Sequence, residues 1–213
     1  MDIIEEAEGW VREKLLNETT GHDYYHIERV TKWARHLGEK EEADLLVVTL
    51  AALFHDLADD KVVASEEEAR LSIRDWLQER AVEESQVDHI MEIIQTISFK
   101  GGQGERVRTL EAEVVQDADR LDAIGAIGIA RTFQYAGAKG QGLYDPALPV
   151  RSEMTVEEYR NGKSSAVHHF YEKLLLLKDR MNTPTARDIA QTRHKRMELF
   201  LEWFYGEWEG GER

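Results

Sequence analysis

His55 and Asp56 stand side by side in the most apolar stretch of the chain, LLVVTLAALFHDL. A charged carboxylate in such a setting costs several kcal/mol unless something compensates it. Two kinds of compensation are open here: neighbouring hydrogen bonds around an isolated His-Asp pair, or a metal ion. Further donors of the right type favour the ion. His26 lies on the preceding helical segment, where an antiparallel hairpin brings it alongside, and Asp117 follows the apolar pair Val114 and Val115. Two imidazoles and two carboxylates make a mixed nitrogen and oxygen set for one divalent cation. Mn2+ is favoured, and Mg2+, Ni2+, Co2+ and Fe2+ also suit such a set better than a closed zinc site does. Around a six-coordinate ion the four side chains leave two positions for water and a substrate oxygen, which is how a catalytic centre differs from a structural one.

These residues need helices to hold them, and the apolar spacing is helical nearly throughout. Ile3, Ile4, Ala7, Trp10, Val11 and Leu15 form one stripe, and Ile27, Val30, Trp33, Ala34 and Leu37 a second, with Gly38 predicted as its stop. Leu45 to Leu57 is apolar on most sides and predicts a central buried helix that carries the His-Asp pair. Amphipathic helices are predicted at 65–80 and 84–98, with one helix or two over 108–135. A glycine- and proline-bearing loop from Ala136 to about Ser152 follows, long enough to serve as a lid. Two more helices are predicted, at 164–182 and 185–207, with Thr183 as N-cap and Pro184 at the first helical position of the latter. No linker separates domains. The expectation is a single all-α domain over 1–213, a helical bundle with a metal-binding core at about 20–135 and C-terminal helices at 164–207 completing the substrate pocket.

Composition limits the partners. The 213 residues are 42% hydrophobic and 32% charged, with a formal net charge of −15 and no cysteine. That surface repels nucleic-acid backbones, so long DNA or RNA is not expected. No apolar run is long enough for a membrane span. The acidic N-terminus, MDIIEEAEGW, is unlike a secretory signal, and a cytoplasmic location is expected.

The ordered set His26, His55-Asp56 and Asp117 resembles the H…HD…D signature of the HD-domain metal-dependent phosphohydrolases. Flanking segments sharpen the likeness to a bacterial, YpgQ-like subgroup: GHDYYHIERV, LAALFHDLADDK, ISFKGG, VVQDADRLDAIGAIGIARTF, HHFYEKLLLLKDRMNTPTAR and QTRHKRMELF. The resemblance runs from about residue 20 to 205. It implies an all-α HD fold, one metal, and hydrolysis of phosphate esters or anhydrides by metal-activated water. For the subgroup it implies cleavage of (deoxy)nucleoside triphosphates to monophosphate and pyrophosphate.

The run His55-Asp56-x-x-Asp59-Asp60 is similar to that of ppGpp hydrolases, where the acids assist attack by water. Asp59 and Asp60 lie four residues beyond His55 and Asp56 and share their helix face if the helix continues; otherwise they form an exposed helix end. With the subgroup resemblance, Lys61, Lys100, His169, Lys173 and Arg193 become candidates for the substrate's phosphate oxygens, although each alone reads equally as a surface charge. SFKGGQG, around Lys100, lacks the Walker pattern. His22 precedes His26 by one turn and reads as a further ligand, a phosphate contact or a cap. His36, His168 and His194 read as ordinary helix residues. His89 stays open, since some HD enzymes recruit an extra His for a second metal.

The expected partner is a small phosphorylated substrate, a nucleotide, and a homodimer is compatible with the sequence. Two rival readings stand beside the pyrophosphohydrolase: a 5'-nucleotidase-type phosphomonoesterase, and a non-catalytic regulatory HD module that binds nucleotide or metal without turnover.

Overall fold

The computed structural model describes residues 2–15, 23–59, 63, 65–97, 107–151, 155 and 162–211. Among them every regular element is helical, as the apolar spacing predicts. The chain divides into two compact units, residues 1–119 and 120–213.

The first unit holds α1 (Ile3–Leu15), α2 (Tyr24–Glu41), α3 (Leu45–Phe54), α4 (Glu66–Glu79), α5 (Glu84–Thr96) and most of α6 (Leu110–Asp122). Helix α3 is its centre, with Val47 to Phe54 all buried. The Asp44 side chain starts it by accepting the backbone N–H groups of Leu46 and Val47 at 2.9 and 3.2 Å. Trp10 of α1, Phe54 at the end of α3 and Trp76 of α4 meet with ring centroids 5.2–5.5 Å apart. Burying three large rings together anchors the point at which α3 delivers His55.

Two helix ends differ from their predicted places. Helix α2 does not stop at Gly38 but continues to Glu41, and Glu42 takes the left-handed conformation (φ 60°) that ends it. Gly38 has a packing role instead, since a Cβ there would lie 3.0 Å from Leu45 Cδ2. Because Gly38 meets the start of α3 while His26 meets its end, α2 and α3 run antiparallel, the hairpin expected from the sequence. Helix α3 in turn ends at Phe54 rather than Leu57. The chain then tightens, Leu57 N–H donating to the Phe54 carbonyl at 3.0 Å and Asp59 N–H to that of Asp56 at 3.1 Å. These bonds span three residues, so Asp59 does not sit one α-turn beyond His55 on a shared helix face.

The second unit contains the end of α6, then α7 (Gly125–Ala138), α8 (Ala166–Glu172), a 3-10 helix (Leu174–Arg180) and α9 (Pro184–Trp208). The stretch 108–135 is thus two helices. Gly125, at φ +74°, makes the turn between them, and a Cβ at Gly128 would run into the Ala123 carbonyl. The predicted helix 164–182 breaks at Lys173, whose backbone (φ −141°, ψ −59°) departs from helical geometry and separates α8 from the 3-10 helix. Helix α9 begins as expected, the Thr183 hydroxyl accepting the Ala186 N–H at 3.3 Å and Pro184 opening the helix.

The loop after α7 is pinned. Ala166 and Val167 N–H groups donate to the Gly142 and Leu143 carbonyls at 3.1 and 3.0 Å. His168 Nε2 lies 2.8 Å from the Leu148 carbonyl, and the Arg151 guanidinium grips Glu172 through two bonds of 2.8 and 2.7 Å. Residues 142–151 are therefore held at several points, which argues against a swinging lid over that part of the loop.

Replacing Gly128 by Ala is expected to destabilise the protein by about 1–3 kcal/mol, because backbone rather than a pliable side chain must yield. Denaturant unfolding of the two proteins measures this.

Candidate metal centre

His26 is held from the start of α2. The Asp23 carboxylate caps the helix by accepting the His26 backbone N–H at 2.8 Å. From there the His26 ring faces that of His55, with centroids 5.4 Å apart. His55 occupies the C-cap of α3, where Nδ1 lies 2.8 Å from the Ala52 carbonyl. A carbonyl only accepts, so Nδ1 carries the proton and Nε2 presents a bare lone pair. That Nε2 is buried and has no hydrogen-bond partner.

The charge arrangement around it is unfavourable as it stands. Asp56 Oδ1 lies 3.4 Å from His55 Nε2, and Oδ2 lies 3.3 Å from His26 Nε2. Asp56 is 6% exposed, so its carboxylate is shielded from water while it faces an electron pair. A divalent cation between these atoms converts the repulsion into shared attraction. The donor atoms of His26, His55 and Asp56 all lie within 4.8 Å of one another. A neutral imidazole whose second nitrogen is fixed by a backbone carbonyl is also the usual state of a metal-ligating histidine. The three residues fit a metal ion.

Asp117 is completely buried on α6 and is not a member of that three-residue group. Asp119, two residues on, brings Oδ1 to 3.5 Å from His26 Nε2, with its side chain 36% exposed. Reading the sequence passed over Asp119. The available signal was the second acid of the QDADR run, which nothing but proximity in space distinguishes from an ordinary surface acid.

Asp59 is half-buried just past the His-Asp turn. His22, Asp60, Lys61 and Lys100 lie outside the described residues. His169, Lys173 and Arg193 belong to the second unit. Lys173 sits at the break after α8, its backbone N–H donating to the His169 carbonyl at 3.0 Å. The aliphatic part of Arg193 lies against Gly125, and its guanidinium donates to the Leu121 carbonyl. Burial, then the Lys173 ammonium and Arg151, push the His169 imidazole down to about 3, with Glu172 opposing.

His89 and His168 have structural partners. His89 Nε2 lies 2.8 Å from Thr109 Oγ1 and 3.8 Å from Glu111, joining α5 to the start of α6. His168 takes Ser165 Oγ at 2.6 Å on Nδ1 and the Leu148 carbonyl on Nε2, so it tethers the loop rather than merely occupying a helix.

A helical fold around a buried His-His-Asp donor group is the arrangement of a metal-binding hydrolase of the HD type. The HD domain model matches residues 23–124, from the α2 cap to the end of α6. YpgQ of Bacillus subtilis (strain 168) is 42% identical over 199 residues, covering 92% of this chain and 89% of that protein. The crystal structure of YpgQ in complex with ADP superimposes with a TM-score of 0.78, covering 96% of this chain and 97% of that one. An HD-superfamily hydrolase from Bacillus thuringiensis is 44% identical, with a TM-score of 0.77 and coverage of 97% and 96%. A solved structure from Lactobacillus plantarum is 38% identical, with a TM-score of 0.85 and coverage of 98% and 97%. The chain belongs to the HD-domain family of metal-dependent phosphohydrolases. Among the described residues, no helix is long and apolar enough to cross a membrane.

The depressed His169 pKa has a stability consequence. Between about 3 and the ordinary value of 6.5 the unfolded chain holds the proton that the folded one refuses. The stabilisation is therefore full above 6.5 and is lost as pH falls toward 3. His169→Gln is expected to flatten the acid-side decline in unfolding free energy, measured from neutral pH down to about 4.

Proposed function

We propose that this protein is a nucleotide pyrophosphohydrolase, cutting (deoxy)nucleoside triphosphates to monophosphate and pyrophosphate in the cytoplasm. The observation that carries the hydrolytic reading is the buried, unpartnered His55 Nε2 facing the Asp56 carboxylate. The nucleotide reading is supported by the ADP bound to YpgQ, a relative matched over nearly its whole length, and by the subgroup segments that the sequence carries.

In this reading His26, His55 and Asp56 hold one divalent ion, Mn2+ by preference, and Asp117 supplies the fourth ligand. When bound, the ion supplies Lewis-acid charge to a phosphoryl oxygen and acidifies water. The chain's own groups prepare that chemistry. The Ala52 carbonyl fixes the tautomer of His55, so no proton must leave the ring before it ligates. Asp59, close in sequence to the pair and half-buried, is assigned to orient the attacking water, with Asp60 beside it in sequence. Phosphate contacts are assigned to Lys61, Lys100, His169, Lys173 and Arg193, with His22 as a further candidate, from the sequence pattern alone. A neutral His169 would serve as a hydrogen-bonding group rather than a cation.

A panel of nucleoside tri-, di- and monophosphates incubated with Mn2+, with products separated by phosphate count, tests the assignment. Pyrophosphate and monophosphate from triphosphates are expected. Inorganic phosphate from monophosphates would mean a phosphomonoesterase, and tight nucleotide binding with no product a regulatory module. Asp56→Ala is expected to lose metal content and turnover together, followed by elemental analysis and product release on the same preparation. Full turnover in a metal-free Asp56→Ala protein would overturn the metal assignment.

A further inference from the structure

We propose that Glu172 is a positioning residue for phosphate binding: gripped by Arg151 and Ser164, it fixes the root of Lys173 and the relation of Lys173 to His169. The proposal rests on the assignment of Lys173 and His169 to the substrate's phosphate oxygens. Three observations carry it. The Glu172 side chain is 1% exposed, and its carboxylate accepts four hydrogen bonds. Oε1 takes the Arg151 backbone N–H at 3.4 Å and Nε at 2.8 Å, while Oε2 takes Arg151 Nη2 at 2.7 Å and Ser164 Oγ at 3.0 Å. Lys173 follows directly and belongs to neither helix, yet its N–H donates to the His169 carbonyl at 3.0 Å. Beyond it Leu174 and Leu177 are buried, so the Lys173 backbone is held on both sides.

The third observation is electrostatic. After burial, the charges of Lys173, Glu172 and Arg151 are what act on the His169 imidazole, so all four side chains share one neighbourhood. A buried ion pair specifies geometry more than it stabilises a fold, and apolar residues could close the same loop. A lysine ammonium sits on a long, flexible stem. Where the chain beneath it is fixed, the volume that the ammonium searches is fixed with it, and less freedom is lost when a phosphate binds. The Arg151 fork suits this task, because two parallel bonds set the orientation of the Glu172 carboxylate as well as its distance.

Calorimetric titration of the Mn2+-loaded full chain with ADP tests this without turnover. Arg151→Gln and Glu172→Gln are each expected to weaken ADP binding by about 10–100-fold, with Mn2+ affinity at the parent's value. Arg151→Lys, which keeps the charge but not the fork, is expected to recover part of the loss. Ser164→Ala removes one donor and keeps the ion pair, so it gives a smaller loss in a protein that folds. A merely structural role would lower stability and leave ADP affinity in place. The double variant separates the two further. In a Lys173→Ala background Arg151→Gln is expected to cost little more, because the side chain through which it acts is gone. Undiminished ADP binding in both Arg151→Gln and Ser164→Ala overturns the proposal, and so do fully additive losses in the double variant. Lys173→Ala alone is the control for the underlying reading. Unaltered ADP affinity there removes the phosphate assignment itself, a failure distinct from that of Glu172.

Discussion

The architecture of the first unit depends on one local conflict: an imidazole lone pair held 3.4 Å from a carboxylate oxygen, away from water. Left alone, that pair weakens the fold, because the His55 nitrogen is buried without the hydrogen-bond partner that desolvation demands. The surrounding structure nonetheless enforces it. The Ala52 carbonyl selects the tautomer, the Trp10–Phe54–Trp76 cluster fixes the end of α3, and the Asp23 cap fixes His26 opposite. A fold that spends stability on keeping two repelling groups together has a use for the space between them. A cation is the species that makes the arrangement favourable.

Much of this was legible in the chain. The helical periodicity gave the elements, and caps with a distinct chemical signature gave the best-defined boundary, Thr183-Pro184 at the start of α9. The His-Asp pair announced itself because a charged residue in LLVVTLAALFHDL needs an explanation, and the antiparallel pairing that joins it to His26 followed from helix order. The misplaced boundaries share a cause. Gly38, Leu57 and Lys173 sit where tertiary contacts, not local propensity, decide whether a helix continues. Gly38 remains helical because its missing Cβ admits Leu45. Helix α3 stops at Phe54 because the next residues turn tightly, and the i, i+4 argument for Asp59 and Asp60 presupposed a helix that had already ended. Lys173 breaks its segment through a backbone conformation that no side chain in EKLLLL advertises. Asp119 was illegible for another reason. An acid two residues from a buried one belongs on a different helix face by periodicity, and only the position of α2 brings His26 to it.

The division of the chain bears on how function is distributed. The HD domain model ends at residue 124, close to the boundary between the two units at 119 and 120, whereas the solved relatives match 96–98% of the chain. The metal-donor residues thus belong to what is common to the family. The second unit, with its pinned loop and the Arg151–Glu172 pair, belongs to what this chain shares with its nearer relatives. Glu172 is buried and pays a desolvation penalty, yet hydrogen bonds from Arg151 and Ser164 hold its carboxyl below the usual carboxylate range. A buried bidentate pair of this sort fixes geometry more than it adds stability, so the second unit is built for a defined loop conformation.

The net charge of −15 opposes the approach of any anion, and a divalent ion in the donor group would offset that opposition locally. Most of the acidic side chains are exposed, where ionic screening limits their reach to roughly 8–10 Å. The donor group is buried, so a divalent ion there is screened much less and dominates the potential around it. Long polyanions would still meet the unfavourable surface over many charges at once. A small phosphorylated molecule meets it only briefly before coming within range of the ion. The same charge distribution disfavours long nucleic acid and is compatible with a small phosphorylated molecule, where a divalent ion in the donor group would offset the charge.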